Sequence, residues 1–374
     1  MTFPYRRASS ALGVSAGKRC GFLEFPKRPV TVVLDAGERM AAHFRQDQRG
    51  DYATMIHLFN GFQDPFGGSD LEALELYRLL SADSEVRLWA TSSRVSGELM
   101  RQFPVRRISL PRWNVPDGGT YIFLGAHWRN KIWPYLIPRP RRLIYVFNTF
   151  HPKVIALTTR MPRMLNWSDA ELVLISDFQK RTLRVDGAVH PSPIDIERFL
   201  PQPAKPGRPF TLGRLSRDTT DKHHTDDVPL YEALLASGVA LRIQGGMVLK
   251  DRLEPHPQLE LLPQGQFAAE EFLPTLDAFY YRTGSHVETF GRVVFEAMAC
   301  GLPVVCHSHG GYADYIRHGE NGFLFETTQQ AARILADLKA DPGLRTTVGR
   351  EARRTVEQLF SPQALRQRLD FYLR

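Results

Sequence analysis

The chain has 374 residues, enough for two domains of ordinary size with a large buried core. Hydrophobic content of 43% with 24% charged residues excludes a disordered chain, and no run of about eighteen apolar residues exists to span a membrane. Of 48 basic residues 9 are Lys, leaving 39 Arg, so the net charge of +8 is an arginine charge. It suits phosphate or lipid headgroups through bidentate contacts, or reflects a codon bias towards arginine.

The first fifty residues are the least readable. They begin basic and Ser-rich without an apolar h-region, so no secretory signal is expected. Cys20, Cys300 and Cys306 form no CxxC pair, which suits a reduced, cytoplasmic compartment. Val30–Asp35 reads as a strand and Arg45–Gly50 as a loop. From Tyr52 a regular alternation starts, with strands expected at Ala53–Phe59, Glu85–Thr91, Val105–Leu110, Thr120–Gly125, Arg142–Asn148 and Glu171–Ser176. Between the first two, Gly67-Gly68 precedes a helix to Leu80, with Ser69 as its expected cap and Asp70 in its first turn. Right-handed crossovers between such strands make a doubly wound sheet, with ligands at the strands' carboxyl ends.

A proline-rich linker, Pro201–Pro209, separates this half from a second α/β unit. There the expected strands are Phe210–Leu212, Ala240–Gln244, Leu259–Leu262 and Phe279–Arg282, with helices at Pro229–Ser237 and Glu270–Asp277. Next comes GSHVETFGRVVFEAMACGLPVVCHSHGGYADYIRHGENGFLF, residues 284–325. Glu288 reads as a loop residue and Glu296 as part of a helix that Gly301 ends, because a left-handed C′ residue is cheapest as glycine. Pro303–Cys306 is a short buried strand, and Gly310-Gly311 opens a helix over Tyr312–Arg317. A strand, a glycine pair and a helix start make an anion site, and the two carboxylates suit a polar ligand with a diphosphate at one end.

The string E-T-F-G-R-V-V-F-E-A-M-A-C-G-L-P-V-V, then G-G and N-G-F-L, resembles the donor-site signature of retaining nucleotide-sugar glycosyltransferases of GT-B fold, more narrowly glycosyltransferase family 4. The resemblance implies two Rossmann-like domains facing across a cleft, with the last helix crossing back to the first domain. Residues 1–203 plus 360–374 would form an acceptor-side domain, and 204–359 the donor-binding domain. Glu296 would hold the nucleotide ribose, and Glu288 with the Phe290-Gly291 backbone would hold sugar hydroxyls. Gly213-Arg214-Leu215-Ser216 resembles the family's G-R-x-S, followed by Lys222 in the longer insertion RDTTDKHHTDD. Arg214, Lys222, Gly68 and Gly310-Gly311 would take the diphosphate, stabilising charge as the sugar–phosphate bond breaks. His151, in a segment similar to the family's T-F-H after a strand, would orient the sugar. Same-face attack and a covalent intermediate are both open, since no residue is an obvious nucleophile.

No Asp-x-Asp occurs, and His223, His224, Asp226 and Asp227 read as a solvated loop rather than a metal site, so a metal-independent enzyme without a cofactor is expected. His127 and Arg129 are candidates for acceptor contact. Residues 127–165 interleave Arg and Lys with Trp128, Trp133, Tyr135, Tyr145 and Phe147, which suits a lipid-linked acceptor or an anionic membrane surface, the aromatics on strands being core. A glycan or polyprenyl-linked acceptor in cell-surface polysaccharide or glycolipid synthesis follows, without nucleic acid as a partner. Alternatives are an epimerase or phosphorylase on the same fold, or a non-catalytic binder of anionic polymers, for which Glu288 and Glu296 have no use.

Overall fold

In a computed structural model of the chain, residues 55–125, 132–167, 169–203 and 207–374 are described, and all of them fall in one compact unit. The expected elements at Val30–Asp35 and Arg45–Gly50, the candidates His127 and Arg129, Trp128, and linker residues 204–206 lie outside the described residues.

The first half is a sheet of seven parallel strands. In chain order its elements are β1 (Ile56–Asn60), helix α1 (Gly68–Leu80), β2 (Val86–Ala90), α2 (Gly97–Gln102), β3 (Val105–Arg107), β4 (Thr120–Leu124), β5 (Arg142–Phe147), α3 (Pro152–Met164), β6 (Glu171–Leu174), α4 (Asp177–Leu183) and β7 (Ala188–Val189). The strands lie in the order β3-β2-β1-β4-β5-β6-β7, all parallel. The second half holds β8 (Thr211–Leu215), α5 (Asp227–Ala236), β9 (Ala240–Gln244), β10 (Leu259–Leu262), α6 (Ala269–Phe272), β11 (Ala278–Tyr281), α7 (Arg292–Ala299), β12 (Val304–His307) and β13 (Phe323–Phe325). It closes with α8 (Thr328–Ala340), α9 (Pro342–Leu359) and α10 (Pro362–Leu373). Its strands run β10-β9-β8-β11-β12-β13, again all parallel. Both sheets therefore share the Rossmann order, and in each the switch point lies beside the first strand, at the ends of β1 and β4 and of β8 and β11. This is the GT-B architecture, two Rossmann-like domains.

Burial on both faces explains why the strands read as apolar runs. Every residue of β1, β4, β8 and β11 is buried. Tyr145 and Phe147 on β5 are fully buried too, so they belong to the core and offer nothing to a membrane surface. One apolar cluster runs through both halves, joining Ile194, Ile196 and Phe199 to Ala297, Met298, Ala352 and Val356. The helix α10, capped by Ser361, returns to the first sheet, where Arg142 Nη1 donates to Tyr372 O at 3.3 Å and Arg366 pairs with Asp83 at 2.7 Å.

Three local expectations are corrected. Ser69 does not cap α1: Gly67 is the N-cap, and Ser69 sits inside the helix, its carbonyl accepting from Asn60 Nδ2 at 2.8 Å. The helix expected at Glu270–Asp277 is only Ala269–Phe272, followed by a 3₁₀ turn that contains Pro274. The helix expected after Gly310-Gly311 is a single 3₁₀ turn, Ala313–Tyr315, since His318 and Asn321 divert the following chain into a tight loop closed by Arg317 N–H donating to Asn321 Oδ1 at 2.7 Å.

Candidate active site

The site is built on the end of β11. Tyr281, 2% exposed, donates its phenol to Glu288 Oε1 at 2.7 Å. The Lys222 ammonium contacts the same oxygen, and His286 Nε2 lies 3.5 Å from it. Oε1 thus gathers two hydrogen-bond donors with His286 close by, while Oε2 receives neither donor. Burial alone would raise the Glu288 carboxyl, but Lys222 and then His286 outweigh it and hold it below the usual carboxylate range. The result is a buried carboxylate that is ionised at neutral pH and has one oxygen left for a hydroxyl. Burial in turn lowers the Lys222 ammonium, against the pull of Glu288.

Behind this pair sits Arg214, 1% exposed, its guanidinium 5.0 Å from the Tyr281 ring centre and bonded through Nη2 to the Lys222 carbonyl. Its Nε and Nη1 have no hydrogen-bond partner. Buried N–H groups are costly unless an acceptor reaches them, so these donors complement an anion. The neighbouring glycine of the motif has another reason: a Cβ at Gly213 would lie 2.1 Å from Leu276 Cδ1.

The insertion around Lys222 is not a solvated loop. Asp221 O accepts from Gly284 N at 3.0 Å and His286 N at 3.1 Å, which ties the insertion to the Glu288 loop. His223 Nε2 bonds Gly245 O at 2.8 Å, and Asp227 takes Tyr280 Oη at 2.7 Å and Arg282 Nε at 2.8 Å. His223 and Asp227 are therefore committed to packing. Among the described residues no three His, Cys, Asp or Glu side chains gather as a metal site.

Two helices meet at the cleft by their N-termini. Both α1 and α7 start after a glycine, Gly67 and Gly291, with no side-chain cap, whereas α2, α4, α8, α9 and α10 are capped by Ser, Thr or Asp side chains. Gly291 holds φ +83°, the left-handed region that favours glycine, and a Cβ there would meet Tyr312 Cδ1 at 2.6 Å. A Cβ on Gly68 would lie 3.8 Å from Arg292 Cδ, so the two starts face each other. First-turn N–H groups and two positive dipole ends converge there. Arg292 donates from Nη1 to Ser192 Oγ at 2.9 Å, and its Nε lies 3.8 Å from Glu296 Oε1. Burial pushes the Glu296 carboxyl up, with Arg292 opposing.

Thr289 joins the halves: its Oγ1 donates to Asn148 O at 2.7 Å, and its carbonyl accepts from Ser176 Oγ. Asn148 Nδ2 in turn donates to Glu72 Oε2 at 3.0 Å; Glu72 is 3% exposed, and burial raises its carboxyl to about 7.

The expected site residues fall into three groups. Glu288, Lys222 and Arg214 are brought into one network. Gly68 and Gly291 lie at the facing helix starts, and Glu296 a turn further into α7. Phe290 is 1% exposed with its ring stacked on Phe295 at 4.2 Å, so only its backbone is left for a ligand. Gly311 already donates its N–H to Glu288 O at 3.0 Å, and a Cβ there would lie 1.8 Å from Thr289 O. Its glycine is required by loop packing, and Gly310-Gly311 starts no α-helix dipole. His151 is the exposed N-cap of α3 and has no side-chain cap bond. It follows Phe150, which is in an aromatic chain across the cleft, Phe150 to Phe178 at 5.8 Å and Phe178 to His309 at 5.1 Å. Sequence reasoning passed over Tyr281, His286, Thr289 and Arg292. Arg292 and Thr289 lie inside the quoted string; Tyr281 and His286 carry no signal until the chain folds.

Residues 207–355 match the family model "Glycosyl transferases group 1". Among curated relatives, the capsular polysaccharide biosynthesis glycosyltransferase CapM of Staphylococcus aureus is 26% identical over 170 residues, 43% of this chain and 45% of that one. N-acetyl-alpha-D-glucosaminyl L-malate synthase of Bacillus anthracis is 38% identical over 84 residues, 22% of each chain. The chain thus spans less than half the length of the curated relatives it matches. Among solved structures, Anabaena HepE in complex with UDP and glucose superposes with TM-score 0.67 at 17% identity, covering 86% of this chain and 99% of that one. WaaG, a glycosyltransferase involved in lipopolysaccharide biosynthesis, gives 0.57 at 16% identity, covering 85% and 99%. With the GT-B fold of the whole described chain, the match identifies residues 207–355 as a group 1 glycosyl transferase domain.

Proposed function

We propose that the chain is a retaining glycosyltransferase of family 4 that moves a sugar from a nucleotide-diphosphate sugar to a glycan or lipid-linked acceptor. The observation that carries this is the buried Glu288 carboxylate: bonded at Oε1 by Tyr281 and Lys222, with His286 Nε2 3.5 Å away, and set beside two facing, glycine-capped helix starts. Its second oxygen would take sugar hydroxyls. The first turns of α1 and α7, with Arg214, would take the diphosphate. An ammonium has three donors, so Lys222 can hold Glu288 and a phosphate oxygen together. Glu296 would accept from the ribose, and His151 would orient the sugar from the first domain. No protein nucleophile and no metal take part in this proposal; cations and helix ends stabilise the leaving diphosphate. UDP and glucose bound to HepE favour a nucleotide-sugar donor, and the names of CapM and WaaG favour a cell-surface glycan or glycolipid product. We place the enzyme in the cytoplasm, at the face of an anionic membrane; no helix among the described residues is long and apolar enough to cross one. Residues 1–203 with 360–374, and 204–359, are its two proposed domains.

The test is a thermal-shift panel of nucleotide sugars followed by turnover of Glu288→Gln. One donor should stabilise the wild type, and the variant should lose turnover while still binding the nucleoside diphosphate. A panel with no stabilising donor would overturn the reading. Loss of nucleotide binding in the variant would exchange the roles of the two glutamates.

A further inference from the structure

Of the large apolar side chains left exposed among the described residues, three belong to loops at the carboxyl ends of β1, β9 and β10: Phe66 at 50%, Met247 at 38% and Phe267 at 36%. Phe66 is from the first domain, the other two from the second. A Cβ at Gly265, where φ is +74°, would lie 2.6 Å from Phe66 Cζ and 2.7 Å from its Cε2, so the ring rests against the Gly265 backbone across the cleft.

The backbone on both sides is fixed by hydrogen bonds. Asp70 accepts from Asp64 N at 3.0 Å, Asp64 Oδ1 from Phe66 N at 2.9 Å, and Asp64 O from Gly67 N at 3.0 Å. This closed turn aims Phe66 outward at the start of α1. Opposite, Gln244 fixes the Gly265 loop by bonding Phe267 N and O, each at 2.9 Å. Gly245 and Gly246 both donate to Leu262 O, at 2.8 and 3.1 Å, which locks the β9 loop against β10. A half-exposed aromatic presented by a preorganised turn, beside glycine backbone and near the helix start read as the phosphate site, is suited to a flat π-system.

We propose that Phe66 completes the nucleobase subsite from the first domain, covering a base that lies against the Gly265–Phe267 backbone. The inference rests on the donor-site reading above and assigns Phe66 as a base-stacking residue for it. In this conformation the ring itself rests on Gly265, so a bound base takes that place and the Phe66 ring shifts onto the base's outer face.

The experiment compares Phe66→Ala and Phe66→Trp with wild type by calorimetry, using UDP, ADP and GDP and, as a probe without a base, inorganic pyrophosphate. For the nucleotide the wild type prefers, Phe66→Ala should weaken binding roughly tenfold, the worth of one base–aromatic contact, and Phe66→Trp should restore it. Pyrophosphate affinity should stay within about twofold in both, because only the base–ring contact, worth about tenfold, is lost. Equal losses for nucleotide and pyrophosphate, or an unchanged nucleotide affinity in Phe66→Ala, would overturn the assignment of Phe66 alone. A wild type that binds none of the three nucleotides would instead overturn the donor-site reading and this inference with it.

Discussion

Replacing Lys222 by methionine tests whether Glu288 is the buried anion on which the site is built. Lys222 and Glu288 are 7% and 9% exposed, and the ammonium contacts the oxygen that also receives Tyr281, with His286 Nε2 3.5 Å away. Methionine keeps the stem's volume but leaves the carboxylate with one phenol and a neutral imidazole. Removing one partner of a buried pair costs about 3–5 kcal/mol, because the remaining charge is uncompensated. Glu288→Gln in the same background removes that charge and should recover more than half of the loss. Urea unfolding of wild type, both single variants and the double variant at pH 7 gives the coupling energy directly. Single-variant losses that add to within about 0.5 kcal/mol would refute the buried-pair argument. The pH dependence has a definite sign. The folded Glu288 carboxyl is held below its ordinary value of 4.5, so its contribution is present above that value and disappears as pH falls through the folded value. The difference between wild type and Glu288→Gln should therefore shrink as pH falls below 4.5 and through the folded value.

Glu72 has the opposite linkage. Its carboxyl is raised from 4.5 to about 7, chiefly by burial, so the folded state favours the neutral form and loses stability as pH rises from 4.5 through 7. Glu72→Gln keeps an acceptor for Asn148 and should be near-neutral at pH 5 and stabilising by about 3 kcal/mol at pH 8, read from the midpoints of urea unfolding at the two pH values; a pH-independent difference would refute the assignment. Gly311→Ala places a methyl 1.8 Å from Thr289 O and must displace the turn that carries Glu288. It should cost about 1–3 kcal/mol and reduce turnover far more than the same change at Gly319, where nothing lies within 4 Å of a Cβ, although its φ of +82° carries strain of its own.

Much of the architecture was legible in one dimension because it rests on local rules. The strands at Ala240–Gln244 and Leu259–Leu262 are found where their apolar runs place them, and α7 ends at Ala299, with Cys300 as its C-cap and Gly301 at φ +70° after it. The crossover helices at Gly68–Leu80 and Asp227–Ala236 were located, but α3 was not, since it carries Pro162 within it. The Ser69 cap failed because Asn60, nine residues earlier, binds its carbonyl, a contact that spacing does not reveal.

By itself, the sequence determined the type of each half and the carboxylates, cations and glycines of the string around Glu288 and Glu296, because these depend on local propensity and short spacing. The tertiary structure alone decided what each of them does. It spends Gly311 N–H on a carbonyl, buries His223 and Asp227, and turns Lys222 onto Glu288. It also brings Tyr281, His286 and Arg292 into the site and sets Phe66 against Gly265 from the opposite domain. The physical reason is that a buried charge takes its protonation state from the partners the fold brings to it, as Glu288 does from Lys222, 66 residues earlier, and no local pattern carries that distance.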